Sequence, residues 1–509
     1  MINTDKILII DFGSQYTHLI TKKLRKLKII SEVRSHTIAP NEITNLNPKG
    51  IILSGGPASV NNGPSIDKTI LNLNIPILGI CYGAQLLTKL DGGIVSNNHN
   101  KEYGQHILSI TSSHQLFEGL GNEETVLMSH GDTITSLSSN FACIATSNNS
   151  IAAISHTKHL IYGLQFHPEV EHSINGIKIL ENFIKICNCK CELSSNYLID
   201  NINESIRSTL IDDGNIVCGL SGGIDSAVTA ILLDKLAGNK LYCVLVDTGL
   251  MRLNEINQIQ TMFDGLLTNK LIINNSKHRF INALKNIVDP EQKRKIIGKE
   301  FISSFKESVS GIKNIKYLAQ GTLYPDVIES TQSCGPSSTI KTHHNVGGLP
   351  DELNLKLIEP LRLLFKDEVK ELATKLNLPE SLINRQPFPG PGMAIRILGD
   401  VNEERISILQ QADDIVQKVF NESNINNIWQ IFAVLLPVKT VGVMGDSRTY
   451  DSVCAIRAVE SIDGMTATWA KLPYDLLNKM SSSIINEVCG INRVVYDISN
   501  KPPATIEWE

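Results

Sequence analysis

The chain has 509 residues, 42% hydrophobic and 19% charged, with a formal net charge of -5. That length exceeds what one hydrophobic core supports, so several domains are expected, and the composition excludes a mostly disordered chain. With no net positive charge, a surface built to hold a nucleic-acid backbone is not expected, and small anionic substrates are left to local clusters of charge.

The opening stretch MINTDKILIIDFG carries one lysine before a short apolar run that ends at Asp11. This is too brief for a signal peptide or a membrane anchor, so the chain reads as cytoplasmic, with no membrane partner. A first domain is predicted for residues 1–190, where short apolar runs such as ILII, IILSGG and PILGICYG alternate with helical spacing at Tyr16, Leu19, Leu24 and Leu27. That alternation predicts a parallel α/β sheet. In ILGICYGAQLL the apolar strand ends at Ile80 and a helical pattern starts near Ala84, which puts Cys81 on the sharp turn between them. The helix N-terminus beneath it favours thiolate over thiol. An unperturbed cysteine is only ~3% ionised at neutral pH, so a nearby base is wanted. His167 in FHPEV is the candidate, with Glu169 placed by strand alternation on the same side to orient it. The SGGP turn at 54–57 can add backbone N–H groups to an oxyanion hole.

Read singly, a cysteine among glycines is also a packed thiol, and His-x-Glu a common accident. Together, GICYGAQ followed by HPE resembles the class I glutamine amidotransferases. The resemblance implies that Cys81 attacks the glutamine carboxamide to give a glutamyl thioester, that His167 shuttles the proton and that Glu169 holds His167. It also marks Gln85, and Ser129 and His130 in MSHGD, as glutamine-side contacts.

The ten cysteines are scattered, and no disulfide framework is expected. Cys187, Cys189 and Cys191 in ICNCKC have single-residue gaps, unlike most zinc sites, and read as an incidental feature of the polar linker CNCKCELSSN. A second α/β domain is predicted for 191–384. Ile199, Ile202, Ile206 and Leu210 fall on one helical stripe, and the strand IVCGL then leads into SGGIDSA and the helix AVTAILLDKLA. Two glycines at a helix N-terminus present backbone amides suited to phosphate, although the G-K-[ST] of a Walker loop is missing. An ordinary capped glycine turn fits the same residues. SGGIDSA also resembles the loop of the N-type ATP pyrophosphatases. By that resemblance Ser221, Gly222, Gly223, Ile224, Asp225, Ser226 and Ala227 bind ATP, and AMP and pyrophosphate are the products. Magnesium would bridge the phosphate oxygens with Asp225 a contact, its full ligand set unassigned. Asp247, ending the strand LYCVLVD, reads equally as a nucleotide neighbour or as a plain strand end.

RQPFPGPG at 385–392 breaks any regular element and marks the last boundary, leaving 385–509, with the strand-like runs IFAVLLPV and RVVYDI, as a small α+β domain. The predicted architecture is α/β: two consecutive parallel-sheet α/β domains followed by a small α+β dimerisation domain. An ammonia source fused to an adenylating domain implies an amidation, without selecting the acceptor. VDTGLMR, EQKRKIIGKEF, GTLYPDVIES, IKTHHNVGGLP, RQPFPGPG and RVVYDISNKPPATIEWE resemble the glutamine-hydrolysing GMP synthetases along all three domains. The resemblance implies a carbon–nitrogen ligase that uses glutamine, ATP and xanthosine 5′-monophosphate (XMP) and forms GMP, working as a homodimer through the last domain. It assigns XMP contacts to Arg294, Asp446, Lys501 and Glu507, and a mobile lid to Lys341. From spacing alone, the last nine residues read as a frayed charged tail and Lys341 as a solvated loop lysine.

Overall fold

The segment KILIID forms β1 (Lys6–Asp11), in which Ile7, Leu8, Ile9 and Ile10 are all fully buried. An unbroken apolar run of this kind suits a strand covered on both faces. Ile7 and Ile9 join a core with Ile20, Leu24 and Phe183, while Leu8 and Ile10 join a separate core with Ile43, Ile51 and Leu87. The computed structural model describes residues 5–96, 102–148, 150–190, 195–331, 355–423, 425–461, 464 and 466–509. The chain divides into two units, Met1–Leu198 and Ile199–Glu509.

The remaining strands of the first unit are β2 (Ile30–Ser35), β3 (Gly50–Leu53), β4 (Ile77–Ile80), β5 (Ile94–Ser96), β6 (Glu102–Ile110), β7 (Glu123–His130), β8 (Thr133–Ser136), β9 (Phe141–Ser147), β10 (Ser150–His156) and β11 (Ile161–Leu164). Eight of them join β1 in one sheet of order β2-β1-β3-β4-β11-β10-β9-β6-β7, and β5 pairs with β8. The half from β2 to β11 is parallel, as the alternating pattern predicts. Beyond β11 every pairing is antiparallel, an extension that the alternating pattern does not predict because β6 to β10 follow one another with no more than the three-residue helical turn Gln115–Phe117 between them.

The second unit opens with β12 (Asn215–Gly219), β13 (Leu241–Asp247), β14 (Ile272–Asn275), β15 (Ile315–Ala319) and β16 (Lys356–Ile358), a parallel sheet ordered β14-β13-β12-β15-β16. The Ile224–Ala237 helix that follows β12 buries Ile224, Ser226 to Thr229 and Ala230 to Leu233, so it is covered nearly all round and holds its N-terminus rigidly. A further sheet contains the long antiparallel hairpin of β17 (Gln430–Met444) and β18 (Ser447–Glu460), with β19 (Thr468–Trp469) and β20 (Ile491–Asp497) beside β18. One apolar core runs from Val217 and Val244 through Met393, Ile397 and Leu409 to Ile431 and Ile456, tying this sheet to the parallel one. Among the described residues no helix is long and apolar enough to cross a membrane.

The turn after β4 depends on two close backbone approaches. A Cβ on Gly83 would fall 2.4 Å from the Leu53 carbonyl oxygen, and one on Gly79 would fall 2.6 Å from Ala84 N. Gly83→Ala must therefore push the Tyr82–Leu90 helix away from β3. Overpacking of this kind costs about 1–3 kcal/mol, which lowers the melting temperature of a unit this size by roughly 2–12 °C. Calorimetry of the Gly83→Ala chain should show the loss in the first unit, and an unchanged midpoint would contradict the packing described.

Candidate active site

Cys81 sits between β4 and the Tyr82–Leu90 helix with φ 50° and ψ −104°, a backbone region that non-glycine residues seldom occupy. Its amide donates to Leu164 O at 2.7 Å and its carbonyl accepts from Gln85 N at 3.1 Å, so chain on both sides holds the conformation. The thiol is 5% exposed and lies 3.7 Å from the Ser129 carbonyl oxygen. This is the geometry of a nucleophile elbow, in which a sharp strand-to-helix turn presents one side chain over a helix N-terminus.

The segment after β11 brings His167 and Glu169 to this turn. His167 Nδ1 and Glu169 Oε1 are 2.8 Å apart, and the glutamate is wholly buried. Burial opposes a charged imidazole, but the Glu169 carboxylate and then Cys81 outweigh it and hold the His167 pKa well above the ordinary 6.5. Tyr16 packs edge-on to the imidazole, with ring centroids 5.1 Å apart. Gly55 of the SGGP turn lies so close that a Cβ there would be 3.1 Å from His167 Cε1. A thiol, an imidazole held charged beside it and a carboxylate fixing the ring together can run nucleophilic attack on a carboxamide with proton return to the departing nitrogen.

The sequence marks Asp11 only as the end of an apolar run and Ser54 only as part of the SGGP turn, and does not disclose the bonds that tie the two together. Asp11 Oδ1 accepts from Gly13 N at 3.0 Å, Ser14 N at 3.3 Å, Thr17 Oγ1 at 2.6 Å and Ser54 Oγ at 3.3 Å. Ser54 in turn accepts from Phe12 N at 3.0 Å and donates to Gly55 O at 2.8 Å. The signal was present in IDFGS, where an aspartate at a strand end precedes a glycine and a serine, the makings of an Asx turn. Gln85 and His130 are also brought in. Gln85 Nε2 donates to Asp132 O at 2.8 Å, and His130 Nδ1 meets that same oxygen at 2.9 Å. Burial pulls the His130 pKa down although Glu102 faces its other nitrogen at 3.2 Å.

Cys187 and Cys189 are not linker residues. Both are buried in the first unit's core, where the Cys187 thiol occupies the space over Gly50, and burial pushes its pKa well up. Cys191 lies outside the described residues, and among those described no group of three or more His, Cys, Asp or Glu could hold a metal ion.

In the second unit SGGIDSA spans the turn after β12 and the first residues of the Ile224–Ala237 helix. Gly222 has φ +74°, and a Cβ there would lie 2.5 Å from Ile259 Cδ1. Ser226 Oγ accepts from Ser221 N at 3.2 Å and donates to Gly223 O at 3.0 Å, while Gly223 N donates to Ser221 Oγ at 3.3 Å. Ile224 and Ala227 point into the core, so only their backbone can serve a ligand. Arg385 donates to Gly222 O at 2.5 Å and pairs with Glu255, and burial together with Arg252 pulls its pKa down to about 10. Asp225 pairs with Lys366 at 2.6 Å through Oδ2, whereas its Oδ1 is buried without a hydrogen-bond partner among the described residues. Magnesium is commonly held by one or two carboxylates, with waters and phosphate oxygens completing the set, so an orphaned carboxylate oxygen beside a phosphate-type loop fits it. Asp247 Oδ1 accepts from Gly249 N at 2.9 Å and caps the end of β13.

The last nine residues are anchored, not frayed. Glu507 accepts from Arg396 Nε at 3.0 Å and Nη2 at 2.8 Å, and from Gln430 Nε2 at 2.9 Å. The fully buried Lys293 holds Glu509 Oε2 at 2.5 Å, Arg294 donates to Glu509 O at 2.5 Å, and Lys501 donates to Gly464 O at 2.8 Å. Arg294, Lys501 and Glu507 thus all attach to the C-terminal segment. Asp446 does not join them: it is exposed at the tip of the β17–β18 hairpin, whereas Gln430, which touches Glu507, is at the far end of β17. Fifteen residues of strand separate these ends by on the order of 40 Å. Lys341 lies outside the described residues.

A cysteine elbow facing a His–Glu pair on the parallel half of a mixed sheet defines a class I glutamine amidotransferase, and a model of that family, described as "Glutamine amidotransferase class-I", matches residues 8–187. A second, "GMP synthase C terminal domain", matches residues 417–508. The chain is 51% identical over 512 aligned positions to "GMP synthase [glutamine-hydrolyzing]" of Brachyspira hyodysenteriae, covering 100% of this chain and 99% of that protein. Proteins of the same name from Maridesulfovibrio salexigens and Caldanaerobacter subterraneus subsp. tengcongensis are 49% and 48% identical, each with full coverage of both chains. The chain belongs to the glutamine-hydrolysing GMP synthase family.

The His167 environment sets a pH dependence. Because its folded pKa is raised, the stability it contributes is fully present below the unfolded value near 6.5 and is lost as pH rises through the folded value. Glu169→Gln removes the carboxylate that does most to keep the ring protonated, so the folded pKa falls and less stability is lost on the alkaline side. Thermal unfolding across a pH series should show a shallower alkaline decline in Glu169→Gln, and parallel curves would contradict the pairing.

Proposed function

We propose that the chain aminates XMP to GMP in two coupled half-reactions, with Cys81, His167 and Glu169 releasing ammonia from glutamine and the Ser221–Ala227 loop serving ATP. The observation that carries this reading is the His167–Glu169 pair at the Cys81 elbow in a chain that also carries the SGGIDSA turn. In the first half-reaction the Cys81 thiolate adds to the glutamine carboxamide carbon. The C–N bond then breaks as His167 gives its proton to the leaving nitrogen, and a γ-glutamyl thioester remains. Water, deprotonated by His167, releases glutamate and restores the thiolate. Gln85, Ser129 and His130 line the glutamine side.

In the second half-reaction the purine 2-oxygen of XMP attacks the α-phosphorus of ATP and pyrophosphate leaves. Ammonia then adds at the purine 2-carbon, and AMP departs with that oxygen. The amides of residues 221–227 and the positive end of the Ile224–Ala237 helix suit the departing pyrophosphate. Bound magnesium would neutralise phosphate charge there, with Asp225 as the residue to hold it. Lys501 supplies a compact positive charge for the XMP phosphate. A carboxylate has about four acceptor sites, and Glu507 has three engaged by Arg396 and Gln430, which leaves one for a purine N–H or a ribose hydroxyl. Arg294 completes the XMP contacts.

The functional segments under this reading are 1–190, 191–384 and 385–509, working in the cytoplasm as a homodimer. Exposed Val438, Val441, Val443 and Tyr450 along the β17–β18 hairpin suit an interface with a second copy. Asp446, so far from Glu507 along the hairpin, would then serve the XMP site of that copy.

The test is Cys81→Ala assayed with XMP, ATP and magnesium. Glutamine-dependent GMP formation should fall at least roughly 1000-fold, while synthesis from added ammonium persists and AMP accumulates. Loss of both activities in a folded variant, or ADP as the product, would refute the reading.

A further inference from the structure

Cys81, His167 and Glu169 account for the glutaminase chemistry but leave another polar contact on the sulfur unexplained. Gln165, two residues before His167, is 1% exposed, and its side-chain nitrogen reaches Cys81 Sγ at 3.8 Å. Which end of this amide faces the sulfur follows from its neighbours. The Asp132 backbone carbonyl can only accept, so the Gln85 atom 2.8 Å from it is the NH2 group. That same nitrogen lies 3.2 Å from the Gln165 side chain, whose facing atom must therefore be the oxygen. The Gln165 NH2 is thereby turned to the sulfur, and the Gln85 amide cannot flip without setting its oxygen against the Asp132 carbonyl.

The two groups at the sulfur act in opposite senses. The Ser129 carbonyl oxygen, 3.7 Å away, can accept from an S–H and repels a thiolate. An amide N–H donor does the reverse, because its hydrogen bond strengthens when the acceptor carries charge. Unlike His167, an amide stays a donor throughout the cycle and cannot take the proton itself. We propose that Gln165 stabilises the Cys81 thiolate, with Gln85 as the positioning residue that fixes its orientation. The proposal rests on the reading of Cys81 as the glutaminase nucleophile.

The full-length protein and its Gln165→Leu and Gln165→Glu variants, each checked for an unchanged circular-dichroism spectrum, are alkylated with iodoacetamide over a pH series. The Cys81 peptide is followed by mass spectrometry, so that the exposed Cys489 does not contribute. Gln165→Leu should move the midpoint of Cys81 alkylation up by about one pH unit and lower glutamine-dependent kcat/KM by about tenfold at neutral pH. Gln165→Glu sets an oxygen where the NH2 group points, so its midpoint should rise further. A midpoint unshifted from the wild type in either folded variant overturns the proposal, even if turnover falls. Absence of a reactive Cys81 in the wild type would instead overturn the nucleophile assignment itself.

Discussion

Cys81 holds φ 50° and ψ −104°, and that one backbone conformation organises the whole first unit. It costs of order 1–3 kcal/mol and persists only where the surroundings leave no alternative. Those surroundings are backbone: β4 before it, the helix after it, β11 accepting its amide and Leu53 pressed against Gly83. The strain places a buried sulfur at the N-terminus of the Tyr82–Leu90 helix and next to the segment that brings His167 and Glu169. The antiparallel half of the sheet then matters for the site as well, since Ser129 near the end of β7 sets its carbonyl oxygen against the sulfur.

Charge plays the organising part in the second unit. Arg396 is fully buried, stacks on Phe388 and Phe432 at 5.0 and 4.0 Å, and pairs with Glu507. Lys293, also fully buried, pairs with Glu509. Breaking one partner of a buried pair strands the other and costs about 3–5 kcal/mol. The C-terminal segment is therefore locked by its own carboxylates, in the region where the XMP contacts are proposed. At the SGGIDSA turn Arg385 does similar work by holding Gly222 O and Glu255.

How much the sequence disclosed tracks how local each feature is. Cys81 and the SGGIDSA turn are strand–turn–helix signals within a dozen residues, and the His167–Glu169 pair spans two, so local pattern marks them as candidates and their joint resemblance to known families selects them. The ties that complete the sites join residues distant in sequence: Phe12 with Ser54 at a separation of 42, Gln165 with Cys81 at 84, Arg396 with Glu507 at 111 and Lys293 with Glu509 at 216. No periodicity encodes such pairs. The same blindness made Cys187 and Cys189 read as linker residues, because their polar stretch lapses in pattern while the chain folds back over Gly50. The tail read as frayed from its charges because their buried partners lie over a hundred residues upstream.

The account stands on a covalent intermediate at one sulfur. Uniformly carbon-13-labelled glutamine, mixed with the complete enzyme, XMP, ATP and magnesium, can be acid-quenched during turnover and the cysteine peptides examined by mass spectrometry. The account predicts a labelled γ-glutamyl thioester on Cys81 alone, appearing before glutamate and decaying as glutamine is exhausted. Glutamate formed with no label on Cys81, or with the label on another cysteine, would contradict it.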